Sequence, residues 1–291
     1  MPAPRVIRRR EGWLLIAPLA AFLVLWLGFP FLTDVVYSVS QVGFTTLRQP
    51  RLSGFGHYAA VLRDAAFWHA MGFSFRYAAV ETVVQVAAGL ALAVALAPIL
   101  SRHRFLLAFI LLPLMIAPAL NGLMYRLMLN DFVGIIPAYL GMLSLSPDLL
   151  STGWVFVTVA AIDAVQNTPF TVLLVLAALQ AIPGELRDAA RVDGASAWHE
   201  FRRVVLPLLL PVLGIAGLVR FIDSFRVFDH IYVLTGGGPG NETTGISIYI
   251  YKAFFQQQQL GLAVAASMIL LLLSLAALSL LMHRSLRGAV A

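Results

Sequence analysis

Nine side chains that can form hydrogen bonds or ion pairs interrupt the long apolar stretches of this chain. They are the candidate residues of a solute pathway: Tyr77, Glu81, Gln85, Asn121, Asp163, Gln166, Asn167, Asp223 and Arg226. Tyr77, Glu81 and Gln85 recur at intervals of four, so a helix places them on one face. Because a charged group at the centre of a bilayer costs roughly 2.5–3.5 kcal/mol, such residues are expected to face the bundle interior or a wet cavity. Their chemistry suits a hydroxylated solute, on whose ring Tyr77 or Phe170 can stack.

The same residues also fit a purely structural role. Asp223 and Arg226, spaced three apart, can form an internal ion pair, and Asn or Gln side chains often join helices within membranes. Any single member of the set can therefore be structural. The set as a whole favours a translocation cavity, because several apolar stretches contribute polar groups at similar depth.

The composition identifies the class of protein that must position these groups. Of the 291 residues, 60% are hydrophobic and only 12% are charged. Soluble domains carry about 25% charged residues, and disordered chains combine low hydrophobicity with high charge. The chain is therefore expected to be an all-α polytopic membrane protein.

Six apolar stretches are long enough to cross a bilayer core of about 30 Å as helices. They are residues 13–32, 73–97, 105–129, 154–181, 207–233 and 260–282, within one transmembrane domain that covers residues 1–291. Basic residues concentrate on one side of this arrangement: Arg5, Arg8, Arg9, Arg10, Arg102, Arg104, Arg187, Arg191, Arg202, Arg203, Arg284 and Arg287. The positive-inside rule then predicts that both termini are cytoplasmic.

Several kinds of chemistry find no matching residues. The chain has no cysteine, and its histidines lack the spacing of a metal site. Lys252, the single lysine, does not stand in the Gly-Lys-Ser/Thr context of a phosphate-binding loop. No catalytic residue, metal ligand or bound cofactor is therefore predicted, and the membrane pattern explains the basic charge without nucleic acid.

The loop between the fourth and fifth stretches, residues 182–206, reads as two short cytoplasmic helices. Pro183 suits the first turn of one helix, and Gly194 suits the left-handed turn that ends it. Ser196 can cap the second helix, and Pro207 is expected to start the fifth span. The small apolar face formed by Leu186, Ala189 and Ala190 fits a partner's groove, although it equally fits a segment lying on lipid headgroups.

This loop carries a spaced motif. It consists of Asp188-Ala189-Ala190, three residues, Gly194, nine residues, Val204, one residue and Leu206-Pro207. It resembles the cytoplasmic signature of permeases of ATP-binding-cassette (ABC) importers, Glu-Ala-Ala, three residues, Gly, nine residues, Ile, one residue, Leu-Pro. Asp for Glu and Val for Ile are the two departures, and both are conservative.

The resemblance implies a type I ABC importer permease fold in a prokaryotic plasma (inner) membrane. In that family the loop is the coupling helix that inserts into a cleft of the ATPase subunit. This assigns ATPase coupling to Glu185, Asp188, Ala189, Ala190, Asp193, Gly194, Leu206 and Pro207. The implied partners are a second homologous permease subunit, two copies of an ATPase that uses ATP and Mg²⁺, an external solute-binding protein and membrane lipid.

Further segments are similar to the carbohydrate branch of these permeases, the maltose and glycerol-3-phosphate type. They are Phe55-Gly56-His57-Tyr58, Leu234-Thr235-Gly236-Gly237-Gly238-Pro239 and Leu179-Gln180-Ala181-Ile182-Pro183, the last of which resembles the larger maltose permease partner. At Gly72-Phe73-Ser74-Phe75 the usual Asn-Thr pair of the family is missing. The resemblance implies transport of a sugar or sugar derivative.

Other functions remain as alternatives: an ABC permease for a non-carbohydrate solute, an ion-coupled secondary transporter or an intramembrane enzyme. A secondary transporter usually shows repeated halves with matching broken helices, whereas the coupling signature occurs once here. Two external segments are open in structure. Residues 246–254 fit an amphipathic helix or a strand, and residues 236–240 fit a flexible loop that touches a binding protein or a plain turn.

Overall fold

In a computed structural model of the protein, residues 9–103, 105–143 and 148–290 are described. Helices dominate these residues: α1 (Arg9–Ser38), α2 (Gly56–Arg63), α3 (Ala65–Arg102), α4 (Phe105–Leu111), α5 (Pro118–Met128), α6 (Ile135–Met142), α7 (Val155–Ala181), α8 (Gly184–Val192), α9 (Ala197–Glu200), α10 (Leu206–Phe225), α11 (Asp229–Thr235), α12 (Ile246–Tyr251) and α13 (Leu260–Val290). Two short antiparallel strands, β1 (Ser40–Gln41) and β2 (Arg51–Leu52), pair Ser40 with Leu52. Arg5, Arg8 and Arg104, which entered the predicted orientation, lie outside the described residues.

The chain divides into two compact units. One combines the chain up to Ala65 with the chain from Ile250, and the other runs from Ala66 to Tyr249. In the first unit α1 and α2 both pack against α13, and Tyr58 donates a hydrogen bond to Ser38 at 2.8 Å. The second unit contains α4 to α11, most of α3 and both sets of candidate functional residues.

Four helical segments are long and apolar enough to cross a membrane: Ile16–Ser38, Ala65–Leu100, Val155–Ala181 and Ala197–Phe225. They coincide with the first, second, fourth and fifth predicted stretches. The sixth predicted stretch lies within α13, whose apolar part among the residues searched is Leu260–Ala276. A total of six spans and the cytoplasmic position of both termini stay predictions.

The third predicted stretch, residues 105–129, is not one helix. It divides into α4 with a 3₁₀ turn, Leu112–Met115, and α5, and these two parts meet at an angle of 84°. Proline explains the break, because its ring lacks an N–H and clashes with the preceding helical turn. Pro113 lies in the 3₁₀ turn, and Ala117, just before Pro118, is extended, with ψ at 132°.

The fifth predicted stretch, residues 207–233, begins with α10 but extends beyond the end of that helix. The helical segment begins at Ala197, passes through a π-helical turn, Phe201–Val205, and ends at Phe225. Pro207 is the second residue of α10, close to the start that the sequence predicted, and a helical segment precedes it. Because Pro207 cannot donate to the carbonyl four residues earlier, a local π-helical turn, closed by Leu206 N–H to the Phe201 carbonyl, accommodates it.

Two apolar clusters hold the second unit together. One joins α3, α7, α11 and α12 around residues such as Phe73, Val159 and Ile231. The other joins α3, α7 and α10 near the loop of residues 182–206, around Val175 and Leu209. Thus α7 has apolar packing at both of its ends, and its polar residues lie between the two clusters.

Candidate functional site

A cavity of about 560 Å³ lies within the second unit. It is bounded by the break after α4, by the middle of α7, by the end of α10 and by the start of α11. Its lining residues are Leu114, Pro118, Asp163, Gln166, Asn167, Phe170, Arg220, Asp223, Ser224, Arg226, Val227, Phe228, Asp229 and His230. The proline break and the end of α10 at Phe225 give this region its concave shape, because two helices stop there instead of crossing straight through.

Five of the nine predicted pathway residues line this cavity: Asp163, Gln166, Asn167, Asp223 and Arg226. The other four, Tyr77, Glu81, Gln85 and Asn121, are buried behind it. The structure therefore gathers the candidates from α7 and from the end of α10 at one surface, and it uses those from α3 and α5 to support that surface.

The α3 residues do share one face, as their spacing predicts, and that face is buried. Gln85 donates through Nε2 to Glu81 at 2.7 Å and to Asp163 on α7 at 3.1 Å. Tyr77 has no exposed surface, is stacked on Phe73 with ring centroids 5.5 Å apart, and has its hydroxyl 3.4 Å from His230 Nε2. The expectation that Tyr77 stacks on a solute ring is therefore wrong in this conformation, because its ring is enclosed.

A series of hydrogen bonds continues from Asp163 towards the cavity. Asn167 donates through Nδ2 to Asp163 Oδ1 at 2.7 Å, and its Oδ1 accepts from Arg220 Nη1 at 3.2 Å. Arg220 also donates through Nη2 to Asp223 Oδ2 at 3.2 Å, and Arg226 donates through Nη2 to Asp223 Oδ1 at 3.3 Å. The predicted Asp223–Arg226 ion pair is present, and it belongs to a wider network between α7 and α10.

A second polar pair supports the cavity from the broken third segment. Asn121 Nδ2 donates to Gln166 Oε1 at 2.7 Å, and Gln166 Nε2 donates to the carbonyl oxygen of Ile116 at 2.8 Å. Ile116 lies at the break between the 3₁₀ turn and α5, where the helix leaves a carbonyl without a helical partner. Gln166 therefore joins α7 to both sides of the break.

Some cavity residues were not among the predicted candidates. Arg220 places its guanidinium carbon 5.5 Å from the centroid of the Phe170 ring, so it covers one face of that ring. His230 and Asp229 belong to α11, which the sequence pattern merged into the fifth span. The end of the fifth helix near Phe225 could have been predicted from the sequence, because three ionisable residues follow Phe225 within five positions. Such residues do not suit the interior of a membrane helix.

The loop of residues 182–206 contains two short helices, as predicted, and we call them together the hairpin (Gly184–Glu200). α8 ends in a left-handed turn at Gly194, whose φ is +76°, and Ala195 N–H donates to the Ala190 carbonyl at 3.0 Å. Ser196 caps α9 by accepting from His199 N–H at 3.4 Å. The local turn and cap chemistry was therefore readable from the sequence.

One face of α8 is open. Glu185, Asp188, Ala189 and Val192, spaced at i, i+3, i+4 and i+7, are all exposed, whereas Ala190 is half-buried. Asp193 and Gly194 at the tip are also exposed. Most of the predicted coupling residues therefore lie on the outside of the hairpin.

The base of the hairpin is fixed to the membrane helices. Arg187 Nε and Glu200 Oε1 are 3.7 Å apart, which links α8 to α9. Val205 is buried in the cluster of α3, α7 and α10, and the side chains of Phe201 and Ile182 pack against that cluster. Leu206 is half-buried and Pro207 is exposed. The hairpin is therefore joined through its base to the packed ends of α7 and α10.

The glycine-rich loop after α11 is held by threonine side chains rather than being a flexible linker. Thr243 is fully buried, and its hydroxyl contacts Thr235 Oγ1 at 2.8 Å and donates to the Gly238 carbonyl at 2.7 Å. Thr244 donates through Oγ1 to the Gly237 carbonyl at 2.9 Å. The next segment, residues 246–254, is helical, so the strand alternative is excluded there.

Metal chemistry has no obvious site in the part of the chain that the structure describes. No group of three or more His, Cys, Asp or Glu residues in it is arranged to hold an ion. Most polar groups around the cavity are amides, carboxylates and guanidinium groups, and several of them bind one another. Such groups suit reversible hydrogen bonding to a solute.

Comparison with known proteins identifies the family. A family model described as "Binding-protein-dependent transport system inner membrane component" matches residues 85–288, which include the cavity and the hairpin. The chain belongs to this family. It is an inner-membrane ABC permease, and therefore a pore-forming subunit rather than an enzyme.

Two relatives match almost the whole chain. The trehalose/maltose transport system permease protein MalF of Thermococcus litoralis is 34% identical over 274 residues, which are 91% of this chain and 90% of that protein. The trehalose transport system permease protein SugA of Mycobacterium tuberculosis is 31% identical over 268 residues, or 91% and 85% of the two chains.

A solved structure shows the same fold. A chain of a bacterial ABC transporter involved in the import of the acidic polysaccharide alginate superposes with a TM-score of 0.81. The match covers 96% of both chains at 21% identity. The protein therefore has the fold of ABC importer permeases, as the sequence motif predicted.

Proposed function

We propose that this chain carries a sugar or sugar derivative across the inner membrane and is driven by ATP hydrolysis in separate subunits. The names of its relatives, which refer to trehalose and maltose, support the sugar assignment. The cavity adds physical support, because its volume of about 560 Å³ lies within the range of about 300–1,000 Å³ typical of small-molecule sites.

The cavity chemistry suits a hydroxylated solute. Asn167, Gln166 and Asp223 present amide and carboxylate groups, which can donate to or accept from sugar hydroxyls. Phe170 provides one aromatic surface beside them. Because each of these polar groups already has hydrogen-bond partners within the protein, a sugar can exchange with internal hydrogen bonds at little net cost and can leave again, as a transport site requires.

The observation that carries the coupling proposal is the exposed outer face of α8 above a base packed into α7 and α10. The hairpin is proposed to sit in a cleft of an ATP-binding-cassette subunit on the cytoplasmic side, where both termini also lie. Two such subunits, closing on ATP and Mg²⁺, would bind one conformation of the permease, inward-facing or outward-facing, more tightly than the other. That difference in binding free energy drives the cavity between inward and outward exposure.

The proposed assembly contains a second, homologous permease subunit beside this chain. An external solute-binding protein is proposed to deliver the sugar at the glycine-rich loop after α11. The family description, in which transport depends on a binding protein, supports this delivery step.

Reconstitution tests the proposal. The complete importer, isolated with its ATPase and binding protein and placed in liposomes, should take up trehalose or maltose only when ATP and Mg²⁺ reach the ATPase. Uptake of an amino acid or a metal ion in place of every sugar tested would favour the non-carbohydrate alternative. Uptake driven by an ion gradient without ATP would overturn the proposal.

A further inference from the structure

The two arginines that line the cavity are both bound to the same carboxylate. Arg220 Nη2 lies 3.2 Å from Asp223 Oδ2, and Arg226 Nη2 lies 3.3 Å from Asp223 Oδ1. Each carboxylate oxygen therefore serves one guanidinium group. Arg220 in addition donates to Asn167 Oδ1 at 3.2 Å, so it is held from two sides.

This arrangement occupies the position that an anionic solute would need. Guanidinium groups recognise carboxylates through paired, charge-assisted hydrogen bonds, and two arginines that converge on one point form a strong carboxylate site. Here Asp223, which lines the cavity and whose side chain is 39% exposed, fills that point. A carboxylate from a solute would have to displace it.

The remaining charges of the lining do not favour an anion either. Two further aspartates, Asp163 and Asp229, line the same cavity. The arginines among its lining residues are Arg220 and Arg226, which are already bound to Asp223. A cavity lined by three aspartates, two arginines and one histidine carries no excess of positive charge, so it gives an incoming anion no net attraction.

We propose that Asp223 sets the charge selectivity of the cavity: it holds Arg220 and Arg226 as an internal carboxylate, so the site accepts neutral sugars and rejects sugar acids. Removal of its charge leaves two converging guanidinium groups and creates a binding site for a uronate. This inference rests on the proposed function, because it concerns the sugar that enters the cavity.

The test compares two aspartates in one cavity. Asp223→Asn removes the carboxylate charge that pairs the arginines. Asp229→Asn removes the same charge from the same lining, and in the described part of the chain Asp229 is not paired with either arginine. The probes are trehalose, β-1,4-mannobiose and β-1,4-dimannuronate. In mannobiose C6 of each ring is a neutral hydroxymethyl group, and in dimannuronate it is a carboxylate.

Binding of each probe is measured directly on the assembled importer, without its binding protein, trapped with ATP, Mg²⁺ and vanadate. Wild type should bind trehalose or mannobiose and should bind dimannuronate at least about tenfold more weakly. Asp223→Asn should strengthen dimannuronate binding at least about tenfold, and Asp229→Asn should do so less than about threefold. Adding Arg226→Gln to Asp223→Asn should remove most of the gain.

Equal gains in the two aspartate variants, or wild-type binding of dimannuronate as tight as that of the neutral sugars, would overturn the selectivity role and leave the proposed sugar transport standing. Wild type that binds no sugar of either charge would overturn both. If Asp223→Asn does not assemble, as judged by gel filtration of the complex, Asp223→Ser removes the same charge and carries the same expectation.

Discussion

Asn121 and Gln166 are joined by a hydrogen bond of 2.7 Å that links α5 to α7. The same glutamine donates to the carbonyl of Ile116, so one buried amide serves both the side chain of α5 and the break that precedes it. Because lipid or apolar side chains cannot replace these bonds, the bent third segment depends on this residue.

Replacing Gln166 with Leu should therefore destabilise the bent segment. The change leaves the Ile116 carbonyl and the Asn121 amide without their partner, and each buried group left unsatisfied costs about 1–3 kcal/mol. The melting temperature of the purified complex should fall. Gln180→Leu, at an exposed position near the end of the same helix, is the control and should leave it nearly unchanged. Equal melting temperatures for the two variants would show that the amide does not hold the break.

A second prediction concerns Gly89, where α3 lies close to Thr171 on α7. A Cβ at Gly89 would lie 2.5 Å from the Cβ of Thr171, which real contacts do not allow, so Gly89→Val must push the helices apart. Such overpacking costs about 1–3 kcal/mol or more, and it should lower both thermal stability and uptake. Gly214→Val on α10, where a Cβ meets nothing within 4 Å, is the matched control. Unimpaired uptake by Gly89→Val would contradict the close packing.

The hairpin and α3 show which structural features could be predicted from a single sequence. The position of Gly194 and the cap at Ser196 were readable, because a left-handed turn and a helix start each require particular residue types. The shared face of the α3 polar residues was readable as well, since it follows from helical period alone. Local rules of this kind need no knowledge of neighbouring helices.

Features that depend on which helices touch were not readable. Hydropathy merged α11 with α10, because His230 and Asp229 are surrounded by apolar residues that look like a continuing span. Whether Tyr77 faces a solute or is enclosed beside the Phe73 ring depends on how α3 packs against α7. The helical spacing of Tyr77 in the sequence is the same in both cases. The sequence therefore identified candidate residues but could not separate those at the cavity surface from those behind it.

The loop after α11 provides a third prediction. Thr243→Val keeps the shape of the side chain and removes the hydroxyl that binds Thr235 and the Gly238 carbonyl. The loop should become a target for limited proteolysis, and stimulation of ATP hydrolysis by the binding protein should weaken. Thr33→Val is the control, because the Thr33 hydroxyl donates to the Phe29 carbonyl within its own helix. Protease resistance equal to wild type would show that these bonds do not order the loop.

A fourth prediction concerns the turn at the tip of the hairpin. Gly194 has φ at +76°, where a residue with a Cβ costs roughly 1–2 kcal/mol. Gly194→Val should therefore distort the hairpin and reduce uptake, while the chain still inserts and the cavity still binds sugar. Gly184→Val at the start of α8, where no left-handed geometry is needed and a Cβ meets no atom within 4 Å, should be milder. Full uptake by Gly194→Val would argue against a mechanical role for the turn.

We propose above that the outer face of α8 binds the ATPase subunit. Because the sequence contains no cysteine, a single introduced thiol allows a direct test of this contact. Asp188→Cys places a single thiol on that face, and Phe132→Cys places one at a position that is 95% exposed between α5 and α6. Each variant of the assembled importer is labelled with a maleimide that carries a photoreactive group and is then illuminated. We expect an ATPase cross-link from Asp188→Cys and none from Phe132→Cys. An ATPase that is not cross-linked in either variant, with uptake intact, would contradict binding at α8.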